Sequence, residues 1–126
     1  MAMALRGLVA LIGLFNILIG LGFLMRPAQL AQQFFLSPVG SQGLATLRAD
    51  FPGFFITGGT FALIGALRSD TRALLVPMLL LAVALVGRFV SLAADGFGPE
   101  AVQPMVAEAV MILVLFLCQR SLGRAK

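Results

Sequence analysis

Leu, Val, Ala, Ile and Phe fill this chain in long runs, and polar side chains interrupt them at only a few places. Four runs stand out, at about 4–25, 43–67, 72–94 and 100–119. Each approaches or exceeds the ~20 residues with which an α-helix crosses a ~30 Å hydrocarbon layer. The pattern predicts an all-α fold, a four-transmembrane-helix bundle forming a single integral membrane domain over 1–126. The first run is long for a signal-peptide core and has no small-residue cleavage site before Arg26, so it reads as a retained span.

Between the first two spans lies RPAQLAQQFFLSPVGSQG. Pro27 fits the first position of a helix, where its missing N–H costs nothing. Leu30, Ala31, Phe34 and Phe35 then form an apolar side with Gln29, Gln32 and Gln33 opposite, which predicts a short interfacial helix at about 27–36. Ser37, Pro38 and Gly40 end it, and Ser41 is an N-cap candidate for the second span. Pro52, in DFPGFF, interrupts that span. A helix beginning only at Asp50 would isolate GLATLRA, so the preferred reading is a helix running from Ser41 with a bend at Pro52.

Charge sets the orientation. Arg6, Arg68, Arg72, Arg120, Arg124 and Lys126 fall at the N-terminus, the loop between spans two and three, and the C-terminus, all on one side of a four-span protein. The opposite side carries Arg26, Arg48, Asp95 and Glu100. By the positive-inside rule both termini are expected in the cytoplasm, in a bacterial inner membrane. The net charge of +4 does not point to nucleic acid, because the basic residues are scattered rather than clustered.

The remaining polar residues converge on one depth. The turn between spans three and four centres on Gly98, with Arg88 ten residues before it and Glu108 ten residues after. Equal distances from the turn mean equal depths in antiparallel helices, so the two can face each other. Asn16 lies nine residues before Met25, roughly 13 Å down at the α-helical rise. Asp50 lies several residues into span two, beside Arg48. Helical phase places Arg88, Ser91 and Asp95 on one face of span three. A similar stripe runs through Asp50, Gly53, Thr57 and Thr60 in span two. The expected ligand-binding or buried polar cluster is therefore Arg88, Glu108, Asp50, Arg48, Asn16, Ser91 and Asp95, in the outer half of the bundle.

Composition narrows the chemistry. With a mean hydropathy of +1.06 and 11% charged residues, the natural solvent is lipid. There is no His, which removes imidazole ligation and Ser-His catalysis, and one Cys, Cys118, which cannot form an intrachain disulfide. The six Met are scattered, without a soft-metal cluster. No metal or cofactor is expected.

Simpler roles stand beside the functional ones. Gly13, Gly20, Gly58, Gly59 and Gly65 suit close helix packing. Arg88 with Glu108 could be an ion pair that fixes helix register, although desolvation makes such pairs weak stabilisers. Charges in hydrocarbon cost at least ~2.5–3.5 kcal/mol on insertion scales, and several near one mouth exceed what register needs.

LRADFPGFF at 47–55, GRFVSLAADG at 87–96 and AE at 107–108 together resemble a family of small four-helix bacterial integral membrane proteins described as a domain of unknown function. Arg48, Arg88, Ser91, Asp95, Gly96 and Glu108 match the residues that carry the resemblance, which spans about 5–118. Pro52 departs from the small residue expected at its position. Span count and an Arg-bearing helix also give a broader likeness to DoxX-like proteins. Neither resemblance implies a reaction.

Three functions compete. The favoured one is binding of a lipid, quinone or other amphipathic molecule, or service as an accessory subunit, with Arg88 on the head group and Leu and Phe walls on the tail. The second is a small proton-coupled transporter using Glu108. The third is an intramembrane isomerase using Glu108 and Asp95, for which the catalytic inventory is short. Membrane lipids, an amphipathic small molecule, and a homo-oligomer or larger membrane complex are the expected partners.

Overall fold

The computed structural model describes residues 1–125; Lys126, counted above among the inside charges, lies outside the described residues. Among the described residues the regular structure is all helical: α1 (Ala2–Met25), α2 (Pro27–Gln33), α3 (Gly40–Arg68), α4 (Leu75–Asp95) and α5 (Val102–Arg124), the last preceded by a 3₁₀ turn at Pro99–Ala101. The four long helices are apolar and long enough to cross a membrane. This is a multi-pass membrane protein with an all-α, four-span bundle, as the apolar runs predict.

Consecutive spans neighbour one another, and α5 returns to α1, so the four helices close a ring. The α1–α3 seam is the tightest. A Cβ on Gly13 would lie 2.7 Å from the Gly59 carbonyl oxygen, and one on Gly20 would lie 2.5 Å from Ile56 Cγ1. Without water to drive apolar surfaces together, spanning helices gain stability from close van der Waals packing, and glycine lets the backbones approach. The packing role expected of these glycines is the observed one.

Two apolar clusters flank a polar layer. Val9, Ala62, Leu74, Leu115 and Cys118 pack at the end bearing the chain termini. Phe23, Ala31 and Leu47 pack at the other, joined by Phe34, Phe51 and Phe55. Phe23 is wholly buried and stacks near-parallel on Phe55 at 6.1 Å between ring centroids. Along α1, the buried Asn16 lies between Val9 and Phe23.

The basic end is fastened by side chains that the positive-inside reading treats only as anchors. Arg6 Nε donates to the Ala66 carbonyl at 2.7 Å and Arg6 Nη2 to the Leu67 carbonyl at 3.2 Å. A cation at the orphan carbonyls of the α3 C-terminus also suits the helix dipole. Gln119 Nε2 donates to the Thr71 carbonyl at 2.9 Å, joining α5 to the same loop. Asp70 Oδ1 accepts from the Arg72 and Ala73 amides, which shapes the turn into α4.

Helix boundaries depart from the sequence reading where local backbone chemistry decides them. The interfacial helix ends at Gln33 rather than near residue 36. There Phe35 takes a left-handed conformation, φ 59°, and the Leu36 amide reaches back to the Ala31 carbonyl at 2.8 Å. This turns Phe35 outward to 76% exposure, so it does not join the apolar side formed by Leu30, Ala31 and Phe34. Helix α3 begins at Gly40, with Val39 and not Ser41 as its cap, and runs unbroken through Pro52. Helix α4 starts at Leu75, and α5 continues past residue 119 to Arg124.

Candidate functional site

Arg88 and Glu108 meet. Arg88 Nε donates to Glu108 Oε1 across the α4–α5 interface, an ion pair between residues at equal distance from the Gly98 turn. Helix α4 supplies Arg88 seven residues before its C-terminus, and α5 supplies Glu108 from its inward face beside Met105, Ile112 and Leu115. The partners differ in environment. The Glu108 side chain is 9% exposed and that of Arg88 is 40% exposed. Glu108 Oε2 is buried and has no hydrogen-bond partner.

A cavity of about 210 Å³ opens beside the pair, lined by residues of all four spans. Its polar side chains are Asn16, Arg88 and Glu108, and its walls include Phe15, Ile19, Phe54, Leu81 and Met111. Asn16 does not reach the ion pair. Its Nδ2 donates to the Ile12 carbonyl at 2.8 Å and lies 3.8 Å from Met111 Sδ. Arg88 also borders a cavity of about 290 Å³ with Asp50 and Phe51, and one of about 320 Å³ with Gln33, Glu100 and Gln103. Phe34 borders all three. One half-exposed guanidinium therefore borders three spaces toward the end of the bundle opposite the chain termini.

The structure thus brings together Asn16, Arg88 and Glu108, with Asp50 across an adjacent space. The other expected members are elsewhere. Ser91 Oγ donates to Asp95 Oδ2 at 3.2 Å, an exposed pair one helical turn apart that borders none of these cavities. Arg48 is exposed and also borders none of them. Of the stripe that begins at Asp50, only Asp50 borders one of these spaces; Gly53, Thr57 and Thr60 face outward, because α3 turns its smaller residues Gly58, Gly59, Ala62, Gly65 and Ala66 to the bundle.

Sequence reasoning passed over several residues around the cluster. In the sequence reading Phe34 lies on the apolar side and Gln33 on the polar side of the interfacial helix, and neither of them, nor Phe54, Phe55 or Gln103, is singled out as lining a site. Gln103 lies five residues before Glu108 in α5, toward the end of the bundle opposite the chain termini but on a different helix face, so helical phase gives no signal for it. Among the described residues no group of His, Cys, Asp and Glu is arranged to hold a metal ion.

These features define a class: a small four-span membrane protein with one ion pair, buried on its acid side, at the edge of an apolar cavity. The family model described as a domain of unknown function, DUF4345, matches residues 4–119, and the chain belongs to that family. Comparison with curated proteins and with solved structures gives no match. The family match bears out the first resemblance seen in the sequence and does not bear on the likeness to DoxX-like proteins.

Proposed function

We propose that this protein binds an amphipathic molecule of the membrane, a lipid or quinone-like compound, and carries out no chemistry on it. The head group rests on Arg88 and the tail lies against Phe15, Ile19, Phe54 and Leu81. What supports this is the incomplete use of Arg88. Glu108 engages its Nε, and a side chain that stays 40% exposed lines three spaces that also share Phe34. A pair serving register alone has no need of a cavity beside it. Guanidinium presents five N–H donors in a fixed fork, which suits carbonyl or oxyanion recognition. The cavity has the mostly apolar lining with few converging polar groups that ligand sites show.

The test is lipid analysis of protein purified in mild detergent. An amphipathic species is expected to co-purify with the natural protein and to fall at least about ten-fold in Arg88→Ala, with gel filtration verifying that the variant stays folded. Wild-type protein carrying only bulk membrane lipid in bulk proportions would count against the proposal.

The same reading places the protein in a bacterial inner membrane with both termini in the cytoplasm. The support is the side on which Arg6, Arg68, Arg72, Arg120 and Arg124 lie. A cysteine replacing Phe97, 71% exposed in the loop opposite the basic end, is expected to react with a membrane-impermeant maleimide in intact cells. A cysteine replacing Ser69 is expected to react only after the membrane is opened. The reverse pattern would invert the orientation.

A further inference from the structure

The unpartnered oxygen of Glu108 narrows what the site would accept. Glu108 is 7% exposed, and its two carboxylate oxygens are used differently. Oε1 accepts from Arg88 and Oε2 accepts from nothing, although both belong to a side chain lining the 210 Å³ cavity. An acceptor buried without a donor is costly in hydrocarbon, and a bound molecule that supplies the donor removes that cost. Asn16, the nearest candidate on α1, spends its amide on the Ile12 carbonyl and Met111 sulfur. The N–H groups of Arg88 not used by Glu108 ask for an acceptor at the same place.

Charge then decides between head groups. Arg88 is balanced by Glu108, and Asp50 borders the adjoining space, so the formal charge of these three groups is +1 − 1 − 1 = −1. Glu100 lines the third space and adds another negative group. An anionic head group would meet an already compensated arginine and two further carboxylates, Asp50 and Glu100, both exposed at the rim of the site and both of its own sign.

Building on the binding reading above, we infer that the site selects an uncharged amphiphile whose head group carries a hydroxyl donor close to a carbonyl acceptor, as in a glyceride. The hydroxyl donates to Glu108 Oε2, the carbonyl accepts from Arg88, and the acyl chain runs along the phenylalanine wall. A methyl ester offers the acceptor without the donor. A fatty acid anion offers acceptors and the wrong charge.

Native mass spectrometry of the detergent-purified protein with monodecanoyl glycerol, methyl decanoate and decanoate compares the three heads on one tail. Glyceride occupancy is expected to exceed that of the other two about ten-fold, the size of one hydrogen bond to a charged group. In Glu108→Gln the amide oxygen stays toward Arg88, which can only donate, and the NH₂ takes the place of Oε2. That NH₂ can donate to an oxygen of either ligand, so the preference for the glyceride over the methyl ester is then expected to vanish. Equal binding of glyceride and methyl ester by the natural protein, or a preference surviving in Glu108→Gln, overturns the inference while leaving an amphiphile site in place. Failure of all three to bind overturns the inference, and the co-purification comparison with Arg88→Ala then decides the binding reading separately. Should Glu108→Gln not fold, the three-ligand comparison in the natural protein decides alone.

Discussion

Replacing Glu108 by Leu while Arg88 remains is expected to destabilise the bundle by about 3 kcal/mol, measured by reversible unfolding in mixed micelles. Removing one partner of a buried ion pair typically costs about 3–5 kcal/mol, because the other charge is left without compensation. The lower end applies because the Arg88 side chain keeps 40% exposure and can turn toward the end of the bundle opposite the chain termini. The double variant Arg88→Leu/Glu108→Leu is expected to recover most of that loss, since both desolvation penalties go with it. A double variant as unstable as Glu108→Leu would mean that the pair fixes the α4–α5 register after all. A double variant that folds well and carries no amphiphile would mean that the pair serves binding.

The second large effect falls on the α1–α3 seam. A side chain at Gly59 would press on the Gly13 carbonyl and lie 2.8 Å from Ile17 Cγ1 and 3.0 Å from the Ile17 amide nitrogen. Those neighbours are mostly backbone of a straight helix and cannot move aside. Gly59→Val is therefore expected to force α1 and α3 apart and to cost about 3 kcal/mol or more, at the upper end of overpacking effects. Gly53 gives the contrast, because a Cβ there meets nothing within 4 Å. Gly53→Ala is expected to hold or raise stability, by up to about 1 kcal/mol, since alanine loses less conformational freedom in a helix. Similar thermal stability for Gly59→Val and the natural protein would refute the close packing.

These two sites also mark what the residues reveal before folding and what they withhold. Arg88 and Glu108 were found by counting outward from Gly98, because antiparallel neighbours joined by a short turn convert sequence distance directly into depth. That arithmetic needs no knowledge of rotation. Rotation is where the reading of α3 went astray. Asp50, Gly53, Thr57 and Thr60 form a polar stripe at helical spacing, and in water such a contrast would fix which side faces in. In lipid the side facing in is the one that packs closest, and α3 carries small residues on both sides. Gly59 won over Thr57 and Thr60 because its opposite numbers on α1 are Gly13 and Ile17, which no pattern within α3 can reveal. Phe35 was lost for another reason. Its direction depends on one left-handed backbone conformation at the end of α2, a state that phenylalanine seldom adopts. Arg6 was correctly placed at the basic end, yet its bonds to the Ala66 and Leu67 carbonyls depend on a neighbour sixty residues away.

The ion pair has a consequence for how the chain enters a membrane. Arg88 and Glu108 sit on consecutive spans, so the contact closes inside a single helical hairpin whose turn is only the stretch from Gly96 to Ala101. An arginine or glutamate inserted alone must be drawn into hydrocarbon uncompensated. A hairpin that folds on itself first carries no net charge from the two and enters as one neutral unit. By that stage of synthesis α1 and α3 have both been made and their glycines can already be in contact. On that order of events the α4–α5 hairpin would meet an α1–α3 pair already in contact.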